Sequence, residues 1–177
     1  RVIEGTNFNY FSEESIKNFF SKDYFVTNLA DRMGMRLEGQ KLKNLKNTNI
    51  RSEGLVKGTI QVPADGNPII LLSDHGTIGG YPKLGVVISA DYDRLVQIPP
   101  GSKIRFEKVK LKDAENLYKL YNMETNNILN KIINVLIYKI TKEYDYKKEE
   151  FIKVSDLISS NKNFNISYFF CLVSFVR

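Results

Sequence analysis

Residues 54–89 read GLVKGTIQVPADGNPIILLSDHGTIGGYPKLGVVIS, a series of short apolar segments punctuated by glycine and proline. Leu55 to Val62 carries Gly58 within it, Ile69 to Leu72 is wholly apolar, and Gly85 to Ser89 is a further β-prone run. A wholly apolar run of this length bounded by turn residues suits a buried strand. Upstream, Met33, Met35 and Leu37 alternate with Arg32, Gly34, Arg36 and Glu38, the period-two pattern of a strand with one buried face. Tyr24 to Leu29 also reads as a strand. Downstream, Pro99-Pro100-Gly101 forms a turn leading into Ile104 to Val109. Several short strands at close spacing, with turn residues between them, belong to a closed barrel or a sandwich. No helical pattern alternates with them, so a parallel sheet is not expected.

The flanks add helices. Arg1 to Glu4 reads as a short strand followed by a Gly5-Thr6-Asn7 turn. Ser12 is a natural N-cap, with Glu13 and Glu14 in the first turn beyond it and Ile16, Phe19 and Phe20 on one face. After Lys110 the period changes. Ala114, Leu117, Tyr118 and Tyr121, then Ile128, Leu129, Ile132, Ile133, Leu136 and Ile137, recur at helical spacing over 111–140, with a break expected near Asn126-Asn127. From Lys142 on the pattern assigns no element. The expected fold is therefore mainly β with α: a β-barrel lobe over residues 1–110 and a helical C-terminal extension over residues 111–177.

With 177 residues, 42% of them hydrophobic and 12% aromatic, the chain can bury a real core. Its formal net charge of +6 invites a nucleic-acid reading. The charges are dispersed, however: residues 1–106 carry 14 Lys/Arg against 11 Asp/Glu, and residues 107–177 carry 12 against 9. No basic block with interleaved aromatics and no nucleic-acid motif is present, so no nucleic-acid partner is expected. The single cysteine, Cys171, excludes an intrachain disulfide and suggests a reducing, cytoplasmic setting. With one cysteine and one histidine, no metal site is expected. The apolar run from Phe164 to Val176 is too short to span a bilayer, which takes about 20 apolar residues, so no membrane partner is expected.

The residues with chemistry cluster between Asp31 and Pro82. Asp74, His75, Thr77 and Tyr81 bring a carboxylate, an imidazole, a hydroxyl and a phenol into one loop. Gly79 and Gly80 beside them permit close approach of a ligand to the backbone. This loop suits anion binding or proton transfer, and equally a tight turn whose polar groups satisfy its own backbone. Arg32 and Arg36 share a face if both lie on a strand, where they can clamp a carboxylate or pair with Asp31, Glu38 or Glu53. Gln61, between Ile60 and Val62, points away from its apolar neighbours, toward solvent or a barrel lumen.

The strings DRMGMRLEG (31–39), SEGLVKGTIQVPADGNPIILL (52–72), GGYPK (79–83) and GVVISADYDRLVQIPPGSKIRF (85–106) carry a resemblance. In their order and spacing, over about residues 1–122, the chain resembles a family that contains the C subunit of 5-oxoprolinase, KipA and the carboxyltransferase domain of urea amidolyase. This is also known as the allophanate hydrolase subunit 2 family. The resemblance implies a cyclophilin-like β-barrel, one of two such lobes in full-length relatives. On this resemblance the chain corresponds to the second lobe only, consistent with its opening on Arg1 rather than methionine, and the first lobe is expected to be encoded separately or missing.

The resemblance also implies a component like the C subunit of an ATP-dependent 5-oxoprolinase. It would work with proteins like that enzyme's A and B subunits to open 5-oxoproline to glutamate. Two alternatives go with it: a carboxyltransferase domain of a biotin-dependent urea carboxylase, and a non-catalytic Kip-type regulatory module or inactive remnant. The expected cleft is lined by the loop from Asp74 to Tyr81 with Arg32, Arg36, Glu53 and Gln61. Arg32 is assigned to carboxylate or phosphate binding, and Asp74 or His75 to proton transfer. Where many relatives carry Ala-Gln or Arg-Gln before the loop threonine, this chain has His75-Gly76. Residues from about Met123 to Arg177 match no part of the family pattern.

Overall fold

The computed structural model describes residues 1–144, with side chains through residue 135. The rest of the expected extension, including Cys171 and the run from Phe164, lies outside the described residues. The chain divides into two units, Arg1–Asn122 and Met123–Arg177. Within the first, the strands are β1 (Val2–Glu4), β2 (Tyr24–Val26), β3 (Gly34–Gly39), β4 (Glu53–Gly54), β5 (Thr59–Gln61), β6 (Ile69–Leu71), β7 (Ile78–Gly79), β8 (Lys83–Val87) and β9 (Lys103–Ile104). Helices α1 (Glu13–Ser21) and α2 (Ser89–Leu95) accompany them, and α3 runs from Leu111 to Tyr144. The fold class is mainly β with α, as expected.

Seven strands form one antiparallel sheet in the order β1-β8-β5-β6-β3-β2-β9, and β4 pairs with β7 as a separate two-stranded ribbon, its strands coming from either side of β5 and β6 in the chain. The segment leaving β9 joins the two edges of the curled sheet. Lys103 and Ile104 pair with β2, while three residues on the Val2 N–H donates to the Glu107 carbonyl at 2.8 Å. The Val109 N–H returns a bond to the Val2 carbonyl at 3.0 Å, so the edge strands are covered rather than open. Phe19, Tyr24, Met35, Leu37, Ile60, Ile70 and Leu84 fill the interior.

Local chemistry explains where α1 begins. Ser12 caps α1, its hydroxyl accepting the Ser15 N–H at 3.2 Å. The expected strand over Gly85 to Ser89 begins and ends earlier, and α2 follows it, an element the alternation did not predict. Tyr92 and Leu95, three residues apart, are buried in the main core and Ala90 in a second cluster beside α3, so packing decides a segment too short to form a helix alone. The expected strand from Tyr24 to Leu29 stops at Val26 and turns, with the Ala30 N–H donating to Thr27. α3 has no break at Asn126-Asn127, whose small propensity cost is overridden. Its first turns belong to the barrel unit, where Ala114, Leu117 and Tyr121 pack with Ile88 and Ala90. No helix among the described residues is long and apolar enough to cross a membrane.

Tyr24 supplies a pH prediction. Its ring is fully buried, its hydroxyl donates to the Gln40 carbonyl at 2.8 Å, and burial pushes the phenol up to about 12. A value raised in the folded state means the neutral phenol is the form the fold favours. Its contribution to stability is therefore fully present below pH 10, the ordinary value, and is lost as pH rises toward 12. Urea midpoints across this window should fall more steeply for the wild type than for Tyr24→Phe. Parallel curves would contradict the burial of this hydroxyl.

Candidate functional site

Strand register places the polar residues. Arg36 on β3 faces Ile69 on β6, Ile69 faces Gln61 on β5, and Gln61 faces Lys83 on β8. Partners in an antiparallel ladder project to the same side, so these four form one row across the sheet. The adjacent row, Met35, Ile70 and Ile60, faces the interior. The polar row thus lies on the outer face, and the β4–β7 ribbon covers part of it. Gln61 is only 6% exposed: it faces neither open solvent nor the lumen, but lies beneath this ribbon.

The ribbon seals tightly. The Gln61 side-chain amide donates to the Tyr81 carbonyl at 3.3 Å. A β-carbon on Gly79 would stand 2.8 Å from Leu55 Cδ1 and 2.9 Å from Gln61 Nε2, so glycine allows the ribbon to lie flat on the amide. Between ribbon and sheet lies a cavity of about 350 Å³, with Arg36, Gln61, His75, Gly79, Gly80 and Tyr81 in its wall. That volume suits a small ligand. Its wall also takes in Asp31, expected from the sequence only as an ion-pair partner. The Gly34 and Met33 N–H groups both donate to Asp31 Oδ1 at 2.9 Å and hold its carboxyl below the usual carboxylate range, with help from Arg36. The signal for this was local: Asp followed by Gly three residues on is a turn in which the side chain caps its own backbone.

The expected residues divide into two sets. Arg36, Gln61, His75, Gly79, Gly80 and Tyr81 come together. Arg32 precedes β3 in a turn, not on the strand, and so does not share a face with Arg36. Its Nε lies 2.9 Å from Asp74 Oδ2, and both side chains are exposed, at 86% and 44%, outside the cavity wall. Thr77 uses its carbonyl to accept the Leu55 N–H at 2.9 Å. Glu53 turns to Lys83 at 2.6 Å, a residue that its place in GGYPK did not mark as a partner.

Two groups in the wall remain available. The Arg36 guanidinium makes no hydrogen bond or ion pair among the described residues, so it can receive an anion in bidentate fashion. His75 Nδ1 lies 2.6 Å from the Gly76 carbonyl, which can only accept; in the neutral ring this contact favours the tautomer with the proton on Nδ1 and the lone pair on Nε2. A larger depression of about 540 Å³ lies elsewhere, beside Arg1, Asp91, Arg94 and Arg105. Two of its three arginines are committed, Arg1 to Asp91 and Arg105 to Asp23, both at 2.7 Å. The smaller cavity, with its uncommitted cation and imidazole, is the better candidate. Among the described residues no group of three or more His, Cys, Asp or Glu is placed to hold a metal ion.

Residues 1–108 match the family model described as carboxyltransferase domain, subdomain A and B. The chain is 38% identical over 114 residues to the C subunit of 5-oxoprolinase from Escherichia coli (strain K12), covering 64% of this chain and 37% of that protein. Its identity to the C subunit of 5-oxoprolinase from Haemophilus influenzae is 37% over 117 residues, covering 66% of this chain and 38% of the relative. The chain therefore spans little more than a third of the length of these curated relatives. The crystal structure of the Kluyveromyces lactis urea carboxylase superposes with a TM-score of 0.67 at 26% identity, over 71% of this chain and 12% of that one.

Proposed function

The chain belongs to the carboxyltransferase domain, subdomain A and B family, and we propose that it is one lobe of a component like the C subunit of an ATP-dependent 5-oxoprolinase. The observation that carries this reading is the identity to the C subunits of two 5-oxoprolinases, joined to a cavity that holds a free guanidinium, an amide and an imidazole. The substrate would be 5-oxoproline, a small lactam with a carboxylate, opened with water and ATP to glutamate.

Arg36 would receive the carboxylate and Gln61 would fix the orientation of the ring. Nε2 of His75 would take or return a proton at the lactam, work for which imidazole is suited near neutral pH. The exposed Arg32–Asp74 pair stands outside this wall and is assigned no contact with substrate. ATP finds no fitting cradle among the described residues. The nucleotide would bind a partner protein, a reading supported by a cavity with one arginine free of ion pairs and, among the described residues, no cluster of ligands for a divalent ion. Partners like the A and B subunits of 5-oxoprolinase would complete the assembly, in a cytoplasmic setting.

In the reconstituted complex, Arg36→Ala and His75→Ala are each expected to lower turnover by about a hundredfold or more while assembly is preserved. Glutamate release with ATP, measured alongside size-exclusion of the complex, checks this. Wild-type turnover in both variants would remove the site assignment. The superposition on urea carboxylase supports a second reading, a carboxyltransferase lobe receiving a carboxyl group from a biotinylated carrier. Capture of an avidin-reactive partner, with no glutamate release, would favour it.

A further inference from the structure

The β4–β7 ribbon forms one wall of the cavity, yet each of its strands has only two residues. Its pairing is short: Glu53 opposite Gly79 and Gly54 opposite Ile78, flanked by the Leu55 N–H to the Thr77 carbonyl at 2.9 Å and the Ile50 N–H to the Gly80 carbonyl at 2.8 Å. A two-stranded ribbon of this length is not stable in water on its own. What fastens it to the sheet therefore decides whether the cavity exists.

Lys83 supplies a charged fastening. Its backbone is fixed on β8, donating to Asn7 Oδ1 at 3.0 Å and accepting the Asn7 N–H at 3.3 Å. Its side chain, 6% exposed, ends 2.6 Å from Glu53 Oε2, whose own side chain is 44% exposed. Thr6, just past β1, donates a second, longer bond to the same oxygen at 3.4 Å. A lysine ammonium so nearly enclosed requires a charged partner, and Glu53 is the one present. Glu53 is also the residue of β4 that pairs with Gly79, the glycine lying on Gln61.

We propose that Glu53 and Lys83 form a latch that holds the β4–β7 ribbon over Gln61 and so sets the opening of the cavity. Glu53 is on this account a positioning residue, with its carboxylate spent on Lys83 rather than on a ligand. The inference takes this cavity as the ligand site, but its test reads backbone amides, so it can fail while the proposed function stands.

Hydrogen exchange on the intact chain provides the test. In Glu53→Gln, which keeps the shape and removes the charge, the Ile50 and Leu55 amides are expected to exchange about tenfold faster. Lys83→Met should give the same pattern. The Val26 and Leu37 amides, in strands remote from the latch, should keep wild-type protection in both variants. Glu53→Asp, which retains the charge, should restore most of the ribbon's protection. Unchanged ribbon amides in Glu53→Gln and Lys83→Met would overturn the latch. Acceleration of Val26 and Leu37 by the same factor would overturn it too, since the effect would then be global unfolding.

Discussion

Phe19→Ala is expected to destabilise the barrel unit by about 3–5 kcal/mol, the range for emptying a buried aromatic site. Phe19 has no exposed surface. Its ring stacks on Phe106 with centroids 4.4 Å apart and planes at 13°. Phe20 meets it edge-on at 5.0 Å, and Tyr24 lies tilted at 5.6 Å. Such aromatic contacts add about 0.5–1.5 kcal/mol each beyond the area they bury. The position also joins elements distant in sequence, because α1 carries Phe19 while Phe106 lies on the segment that joins the sheet edges. With a total stability of about 5–15 kcal/mol for an ordinary domain, roughly a fifth or more of it should vanish. Urea unfolding should show a lowered midpoint at unchanged slope. A loss below about 1 kcal/mol would show that the cluster rearranges around the void at little cost.

Gly5→Ala is expected to cost about 2–3 kcal/mol by overpacking, through contacts that no rotamer change relieves. A β-carbon there would stand 2.5 Å from the Lys83 carbonyl oxygen and 2.9 Å from the Gly85 nitrogen, both backbone atoms of β8. The Gly5 N–H bonds the Leu84 carbonyl at 3.0 Å, so relief would break a bond that ties β1 to β8. Gly54→Ala is the control. Nothing lies within 4 Å of its β-carbon position, and its effect should stay within about 0.5 kcal/mol. Equal midpoints for the two variants would mean that β1 and β8 separate freely at this point.

Most local elements were legible because their causes are local. Ser12 followed by two glutamates is a strong local cap signal, and the alternation of buried Met35 and Leu37 with exposed Arg36 and Glu38 marks a half-buried strand, although Met33 lies exposed before it. The motifs from Asp31 to Phe106 identified the family for the same reason, since order and spacing are properties of the chain itself. α2 escaped notice because its helical state depends on the burial of Ala90, Tyr92 and Leu95.

The candidate site was half legible. Residue types in the loop from Asp74 to Tyr81 and at Arg36 and Gln61 pointed to polar chemistry, and six of them line one cavity. That Arg32 leaves the group for Asp74, that Asp31 joins it, and that Glu53 belongs to Lys83 could not be read from spacing.

The sequence by itself determined that the chain is mainly β with helical flanks, which strand residues are apolar, and the family to which the chain belongs. Only the tertiary structure decided that Arg36, Ile69, Gln61 and Lys83 stand in one row, with a ribbon latched over part of it. The physical reason is register. Which residues face each other across neighbouring strands is set by long-range hydrogen bonding and by the packing of the opposite face. A one-residue slip would exchange the row that bears Gln61 for the row that bears Ile60, and would move the polar groups from the cavity wall into the core.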